Sequence, residues 1–235
     1  FVTLCNNENE EIERKVYLGE YLLAGTVADA STLEYLEGAK ITLLDPVTEE
    51  VITEFTMDEK GAFTSDMIKD NLPGDRIAFN VRVEKEHYLT QTFKVDTVLG
   101  YFSTLQLDYL LSQDAIGIDL TEVLHLNPIY FDLDKSDIRP DAAIELDKIV
   151  KIMNENPDIK IELGSHTDCR ASRSYNQRLS QRRAVSSANY IKKRITNPKR
   201  IYGKGYGESK LVNDCGCEGN VVSDCSDEEH QANRR

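Results

Sequence analysis

Residues 159–184 have the sequence IKIELGSHTDCRASRSYNQRLSQRRA, which predicts a strand, a polar loop and a helix in that order. The segment 159–163 alternates apolar and charged residues, as a half-buried strand does. From Tyr175 to about Lys193 the apolar residues recur at helical spacing. The loop 164–174 is therefore expected at the carboxyl end of a strand, where α/β units place binding side chains.

The alternation of strand and helix continues on both sides of this stretch. Upstream, Ile129–Asp132 has the pattern of a short strand, and Pro140 opens a helix that ends at Asn156. Downstream, Ile201–Glu208 has the pattern of a glycine-rich strand. The second half of the chain is therefore predicted to be α/β.

Two charged residues in this half favour a binding site for a zwitterion. Arg183 lies about 12 Å along the helix axis, and helical side chains lean toward the N-terminus, so its guanidinium can reach back toward the loop. Asp168 in the loop would bind an ammonium, and Arg183 would bind a carboxylate through its planar fork. Two plainer alternatives fit the same spacing: an ion pair between these residues, or Asp168 as the helix cap.

The first half of the chain has a β pattern. Short runs rich in β-branched and aromatic residues are separated by turns with Gly, Asp or Pro-Gly, which is typical of a β-sandwich. The predicted strands are Val16–Val27, Ala39–Leu44, Val51–Thr56, Ile77–Val83 and Leu89–Val95. His87 is isolated among them, and we interpret it as a surface or edge residue.

These patterns predict four segments. They are an N-terminal extension (1–14), a β-sandwich (15–108), a linker (109–118) and an α/β domain (119–235). A chain of 235 residues is long enough for two small domains, each with its own core.

The composition excludes two classes of protein. The chain has 41 Asp and Glu against 28 Lys and Arg, a net charge of −13, which has the wrong sign for a nucleic-acid partner. No apolar run approaches the ~18 residues of a transmembrane segment. The start at Phe1, without a basic and apolar leader, is typical of a processed or excised piece. Leu4-Cys5 only faintly resembles a lipoprotein cleavage site, and we favour Cys5 as a core or linker thiol.

Three of the five cysteines, Cys215, Cys217 and Cys225, lie in a loop rich in Gly, Asn and Asp. Such a cluster favours disulfides, and with them an oxidising compartment such as the bacterial periplasm. Zinc is the alternative, with His230 as a fourth ligand, but the spacings match none of the common zinc motifs.

Five motifs occur in order over about 119–235. They are Ile129–Asp137, Gly164–Asp168, the N-x-x-L-S-x-x-R-A pattern of Asn176–Ala184, Gly205–Glu208 and Asn233–Arg235. Together they resemble the OmpA-like peptidoglycan-binding domain. The resemblance implies a βαβα domain with a mixed sheet. It also implies non-covalent binding of the meso-diaminopimelate in the peptidoglycan stem peptide, with no catalytic residue, cofactor or metal.

The resemblance also implies which residues bind this ligand. The family's acid falls on Asp168 and its arginine on Arg183. Further ligand contacts are implied at Thr167, Asn176 and Arg234, and at Asp134, a first-loop position where some members carry Asn. The family usually continues into one more strand after the double arginine, whereas this chain stops at Arg235. We therefore expect a weaker contribution from Arg234 if that strand is absent.

Two residues of the 164–174 loop need separate interpretation. His166 matches the family's histidine, and we interpret it as structural because no nucleophile with an obvious task is near it. Cys169 follows the binding aspartate, and we expect a disulfide from it to the cysteine loop, with Cys215 or Cys217 bridged to Cys225.

The first half resembles another family. Gly25–Val27, Gly38–Leu43 and Asp58–Phe63 resemble the carboxypeptidase-regulatory-like, transthyretin-like β-sandwich, a fold that says little about function. The two domains in this order are similar to the C-terminal half of PorE-type proteins of Bacteroidetes-type bacteria, which belong to the type IX secretion apparatus. The leading hypothesis is a periplasmic module that anchors the outer membrane, or a complex attached to it, to the cell wall.

Two other classes of function stay open. The first is a protein-interaction scaffold that docks onto outer-membrane or secretion-complex proteins while its OmpA-like domain is structural only. The second is a cell-wall hydrolase or thiol enzyme, for which the sequence offers only His166 beside Cys169. We favour a binding protein without enzymatic activity over both.

Overall fold

A computed structural model of the chain describes residues 20–101, 104–217 and 223–235, together with the backbone of two earlier strands. Those strands, β1 (Val2–Cys5) and β2 (Glu11–Arg14), pair antiparallel with each other. The side chain of Cys5 and residues 15–19, on which two predictions fall, lie outside the described residues. The chain divides into two compact units, 1–113 and 114–235.

The first unit contains two larger β-sheets. Their strands are β3 (Leu22–Asp29), β4 (Lys40–Leu44), β5 (Val51–Thr56), β6 (Ala62–Ser65), β7 (Arg76–Glu84), β8 (Gln91–Val98) and β9 (Thr104–Leu111). One sheet has the order β6-β3-β9, with β9 parallel to β3. The other has the order β5-β4-β7-β8 and is antiparallel throughout.

Side chains from both sheets form one hydrophobic core. Leu23, Ile41, Val81 and Leu111 are completely buried in it, and they come from β3, β4, β7 and β9. The strands β7 and β9 alternate buried and more exposed positions, as two sheets packed face to face require. The first unit is thus built from two sheets that enclose a shared core.

Two strands of these larger sheets, β6 and β9, are absent from the sequence prediction, as are β1 and β2 in the range 1–14. The strand β9 continues through Leu111, three residues into the range 109–118 that the sequence predicts as a linker. It continues because its parallel pairing with β3 extends to Asp29 opposite Leu111. The two backbones approach closely at Gly25, where a Cβ atom would lie 1.8 Å from the Leu107 carbonyl oxygen.

The second unit alternates helices and strands. Its elements are α1 (Leu120–Val123), α2 (Pro140–Glu155), β10 (Ile161–His166), α3 (Arg173–Lys192), a 3₁₀ turn (Pro198–Arg200), β11 (Ile201–Gly207) and α4 (Asp227–Ala232). The helices predicted from Pro140 and from Tyr175 correspond to α2 and α3. No helix in the described ranges has the length and apolar character needed to cross a membrane.

The predicted strand at 129–132 is wrong. These residues form no strand, and the described residues of this unit form a sheet of two parallel strands, β10 and β11, instead of the expected mixed sheet. The local alternation of Ile129 and Phe131 misled the prediction, because a strand also needs a neighbour with which to pair. Instead, the Asp132 carbonyl accepts a hydrogen bond from the Arg183 side chain.

The helix α3 packs directly on β11, and this contact positions the loop between β10 and α3. A Cβ atom on Gly205 would lie 2.2 Å from the backbone nitrogen of Gln181, so only glycine fits. Ser180 accepts a hydrogen bond of 2.8 Å from the Gly207 N–H. On α3, Ser180 therefore binds the strand, while Asn176, one turn earlier, reaches the loop.

Candidate functional site

A cleft of about 400 Å³ lies in the second unit, between the loop after β10, the first half of α3, the segment before α2 and the last residues of the chain. The structure brings every predicted ligand-binding residue to its lining. These residues are Asp134, Thr167, Asp168, Asn176, Arg183 and Arg234. Their role in binding a ligand stays a prediction.

Asp168 is buried just beyond the end of β10, with 8% of its surface exposed. Its Oδ2 accepts hydrogen bonds from Nε and Nη2 of Arg170 at 3.2 and 3.0 Å, and lies 3.5 Å from Nε of Arg234. Its Oδ1 accepts the backbone N–H of Arg170 at 3.2 Å. The helix cap is Ser172, whose hydroxyl accepts from the Tyr175 N–H, so Asp168 does not cap α3.

Arg183 is a buried cation, 9% exposed, and no carboxylate of the described residues forms an ion pair with it. Its Nε and Nη2 donate to the backbone carbonyls of Lys135 and Asp132 at 3.0 and 3.2 Å. Its guanidinium lies 5.0 Å from the centre of the Phe131 ring. The predicted alternative, an Asp168–Arg183 ion pair, is therefore not formed.

The environment of Arg183 is unfavourable for its charge. Burial lowers the pKa of the Arg183 guanidinium and the nearby Arg234 lowers it further, against smaller opposite effects of Asp134 and Asp168. A buried charge without a counter-ion destabilises the protein that carries it, and an anion placed beside it would relieve that cost. The arrangement is therefore suited to binding a carboxylate from outside the chain.

Asn176 holds the loop that carries Asp168. Its Nδ2 lies within hydrogen-bond distance of the carbonyls of Asp168 and Ala171, at 3.0 and 3.2 Å, and of the Glu208 carboxylate, at 2.6 Å. Because these contacts occupy the amide donors, Asn176 acts on the site mainly through the loop.

Thr167 offers the cleft a polar atom without a partner. Its backbone N–H donates to the Gly207 carbonyl at 2.9 Å, which joins the loop to the end of β11. Its Oγ1 is buried and has no hydrogen bond within the described ranges. Thr167 therefore links the loop to β11 and adds a buried hydroxyl to the wall of the cleft.

Asp134 borders the cleft from the segment before α2. Its backbone is left-handed, with φ of 58°, a conformation that aspartate tolerates better than most residues. Its carboxylate accepts a hydrogen bond from the Tyr175 hydroxyl, so the segment is tied to the first turn of α3.

His166 lies against Tyr206, with the two ring centres 5.1 Å apart and the rings nearly parallel. Burial lowers the pKa of His166 to about 4, and the charges of Arg235 and Lys210 act in the same direction. The imidazole is thus neutral at neutral pH. Cys169 offers it no thiol, because the sulfur of Cys169 is part of a disulfide. The structure thus contradicts the thiol-enzyme alternative.

Two disulfides join the cysteine loop. Cys169 is bridged to Cys217 and Cys215 to Cys225, with Cα atoms 5.5 and 5.8 Å apart. One bridge therefore starts at the residue next to Asp168, as expected. The zinc alternative needs three free thiolates, and all three of its cysteines are bridged. Its fourth residue, His230, is 1% exposed and lies 3.4 Å from the Ser223 hydroxyl.

Sequence reasoning missed four residues of the site: Arg170, Phe131, Tyr175 and Glu208. Arg170 follows Asp168 at a distance of two residues, which is the one local signal for their pairing. Several other arginines lie in the same segment, so spacing alone does not select it. Glu208 ends the Gly205–Glu208 motif. Its contact with Asn176 could not be predicted from local pattern, because the two residues are 32 positions apart.

Comparison with known proteins gives a family match that lies within the second unit. A sequence model described as the OmpA family matches residues 130–223. Outer membrane porin F of Pseudomonas fluorescens is 37% identical over 86 residues, which are 37% of this chain and 26% of the porin. The peptidoglycan-associated lipoprotein of Pseudomonas putida is 32% identical over 119 residues, which are 50% of this chain and 68% of that protein.

Among solved structures, the peptidoglycan-associated lipoprotein of Burkholderia pseudomallei is 21% identical, with a TM-score of 0.38, over 45% of this chain and 82% of that one. The chain spans only part of most relatives: 26% of the porin and 52% of the Brucella melitensis lipoprotein. The chain spans 68% of the P. putida lipoprotein at 32% identity, and it belongs to the OmpA family.

Proposed function

We propose that the second unit binds peptidoglycan non-covalently, by holding the meso-diaminopimelate side chain of a stem peptide in its cleft. The observation that carries this proposal is Arg183, a buried cation that forms no ion pair with any carboxylate in the described part of the chain and lines the same cleft as the buried carboxylate of Asp168. One end of diaminopimelate carries a free ammonium and a free carboxylate on the same carbon. The cleft presents one group of opposite charge for each of them.

In the proposed complex, the ligand ammonium lies against Asp168 and the ligand carboxylate against Arg183. The guanidinium of Arg183 keeps donors that are not used by the carbonyls of Lys135 and Asp132, and a carboxylate can accept two of them. The unpartnered hydroxyl of Thr167 and the guanidinium of Arg234 are further donors for the same ligand.

The wider role that we propose is attachment of an envelope protein or complex to the cell wall. Support comes from the names of the relatives, peptidoglycan-associated lipoproteins and an outer membrane porin. The two disulfides support an oxidising compartment, which for such a protein is the periplasm beside the outer membrane. The most specific form of this proposal is that the protein belongs to a type IX secretion complex, as the order of the domains predicts.

For the first unit we propose a carboxypeptidase-regulatory-like, transthyretin-like sandwich. Its two sheets and single shared core support that assignment. Such a domain suits the role of a spacer or docking module beside the binding unit.

Calorimetric titration tests the proposed binding. A diaminopimelate-containing muropeptide is titrated into the full, oxidised chain and into the variants Asp168→Ala and Arg183→Ala, with a lysine-type muropeptide as a second ligand. We expect saturable binding to the wild-type chain, with affinity reduced about 100-fold in either variant, because each loses a charge-assisted contact. The lysine peptide lacks the second carboxylate. The wild-type chain should therefore bind it about as weakly as Arg183→Ala binds the diaminopimelate peptide.

The control variant is Arg178→Gln, which removes an exposed arginine from the same helix and should leave the affinity unchanged. Absence of heat with a folded, oxidised wild-type chain would contradict the proposal. It would favour the scaffold alternative, in which the first unit binds a protein partner.

A further inference from the structure

Asp168 is part of a closed chain of contacts that runs through Arg170, Asp227, the helix α4 and Arg234. Arg170 donates through Nε and Nη2 to Asp168 and through Nη1 to Asp227 at 2.5 Å. Asp227 is the first residue of α4, and two residues beyond the end of α4 Arg234 lies 3.5 Å from Asp168. We call the Asp168–Arg170–Asp227 part of this chain the arginine bridge.

In the arginine bridge, the two carboxylate oxygens of Asp168 accept different numbers of hydrogen bonds. Oδ2 receives both side-chain hydrogen bonds of Arg170 and faces Arg234 as well. Oδ1 receives only the backbone N–H of Arg170. A carboxylate offers about four acceptor positions, so the remaining capacity for a ligand lies mainly on Oδ1.

Arginine can form this bridge and lysine cannot. The planar guanidinium holds one carboxylate with two donors and still presents a third donor to Asp227, whereas an ammonium is a single point of charge. The two ends of the bridge differ in their exposure to solvent. The Asp168 side chain is 11% exposed, whereas the Asp227 side chain is 84% exposed. The pairing with Asp168 should therefore matter more than the pairing with Asp227.

We propose that Arg170 is a positioning residue that fixes the orientation of the Asp168 carboxylate and directs Oδ1 to the ammonium of the ligand. Arg170 thereby determines the selectivity of the cleft for a zwitterionic side chain over one that carries a carboxylate alone. The inference rests on the proposed function, since it concerns how that same cleft recognises its ligand.

The test uses two stem peptides that differ by one amino group. One carries meso-diaminopimelate, and the other carries 2-aminopimelate, which keeps the side-chain carboxylate and lacks the ammonium. Their affinities are measured by calorimetry for the full oxidised chain and for Arg170→Gln, Arg170→Lys, Asp227→Asn and the control Arg178→Gln. Circular dichroism and a thermal melt report whether each variant folds.

We expect Arg170→Gln to weaken binding of the diaminopimelate peptide about tenfold, the size of one charge-assisted hydrogen bond, and to change binding of the aminopimelate peptide less than about twofold. Arg170→Lys should give an intermediate loss and serves as the readout if Arg170→Gln does not fold. Asp227→Asn should weaken diaminopimelate binding only about twofold, because that end of the bridge is exposed.

An equal loss for both peptides would show a merely structural role for Arg170 and overturn the inference. Unchanged affinities, or tighter binding of diaminopimelate, would also overturn it, and the second result would mean that Arg170 competes with the ammonium. In each of these cases binding by the wild-type chain leaves the proposed function intact. Failure of the wild-type chain to bind either peptide would overturn the proposed function and this inference with it.

Discussion

Each of the two units buries a charged side chain, and the two side chains differ in how fully the surrounding residues satisfy the charge. In the first unit, Asp29 is 2% exposed, and its carboxylate accepts five hydrogen bonds. The donors are the N–H and hydroxyl of Ser31, the N–H of Thr32, the Tyr88 hydroxyl and the Gln113 amide. In the second unit, Arg183 contacts backbone carbonyls and an aromatic ring, and among residues 114–217 and 223–235 no carboxylate forms an ion pair with it. A charge satisfied by its own chain stabilises the fold, whereas a charge left unbalanced is available to a ligand.

The same contrast holds for the total charge of the units. Residues 1–113 contain 21 acidic and 9 basic residues, a net charge of −12, whereas residues 114–235 contain 20 and 19, a net charge of −1. Nearly all of the negative charge of the chain therefore belongs to the unit without the cleft. The overall charge is consequently a poor guide to the ligand, because the cleft lies in a nearly neutral unit with four arginines in its lining.

The largest effect is expected from a disulfide that only the second unit has. Replacing Cys169 and Cys217 together by serine opens a covalent loop with a sequence separation of 48 residues. Chain-entropy arguments give a loss of about 4 kcal/mol in the free energy of unfolding. Denaturant unfolding of the full chain, followed by a probe in each unit, would measure it. An equal loss in the free energy of unfolding of the first unit would show that this disulfide stabilises both units.

A smaller loss of stability is expected in the first unit. Asp29→Ala leaves five donors without their acceptor, and we expect the free energy of unfolding of this unit to fall by about 3 kcal/mol. Thermal unfolding checks this, and muropeptide affinity should not change. The control is Asp45→Ala, which removes a turn-forming aspartate from a more exposed position of the same unit. A decrease in affinity would show that Asp29 serves the ligand as well as the fold.

Arg183→Met should separate binding from stability. The substitution removes a buried cation that forms no ion pair with a carboxylate of the described residues. This gain offsets the loss of its two hydrogen bonds to backbone carbonyls, so we expect the free energy of unfolding to change by less than about 1 kcal/mol. Muropeptide affinity should nevertheless fall about 100-fold, or about 2.7 kcal/mol, because the carboxylate contact is lost. Calorimetric titration and denaturant unfolding of one sample measure both quantities. A large loss of stability would mean that Arg183 resembles Asp29 after all.

The smallest effect concerns pH. The folded-state pKa of His166 is lowered to about 4, so the unfolded chain binds this proton first as the pH falls below the ordinary value near 6.5. Stability from the neutral imidazole is therefore present above about pH 6.5 and is lost as the pH falls toward 4. His166→Gln should reduce the loss between pH 7 and 5 by about 2 kcal/mol. Thermal melts at both values check this against His87→Gln, and equal pH dependence in both variants would refute it.

Local patterns predicted those parts of the fold whose limits are local. Pro140 at the start of α2, the Asn156-Pro157 stop and the small buried residues of α3, such as Ala184, are visible in the sequence because each acts within a few residues. The missed strand β9 has an equally clear alternation, but its parallel partner β3 lies about 80 residues earlier. Ile129 and Phe131 show the reverse case, an alternation without a partner strand.

The candidate site divides in the same way. Asp168 and Arg183 follow from the order strand, loop and helix, because helix geometry turns a spacing of 15 residues into proximity. The partner of Asp168 does not follow, since the choice of Arg170 among neighbouring arginines depends on where α4 brings Asp227. Pairings between distant segments, which include both disulfides, need the folded chain.

The disulfide between Cys169 and Cys217 also has a mechanical consequence. It encloses α3 and β11, so tension applied to the two ends of the chain passes through the sulfur atoms and bypasses everything between them. About 160 Å of contour length, at ~3.4 Å for each enclosed residue, is withheld from extension while that bond lasts. Tension between the two chain ends therefore leaves the helix that carries Arg183 unextended.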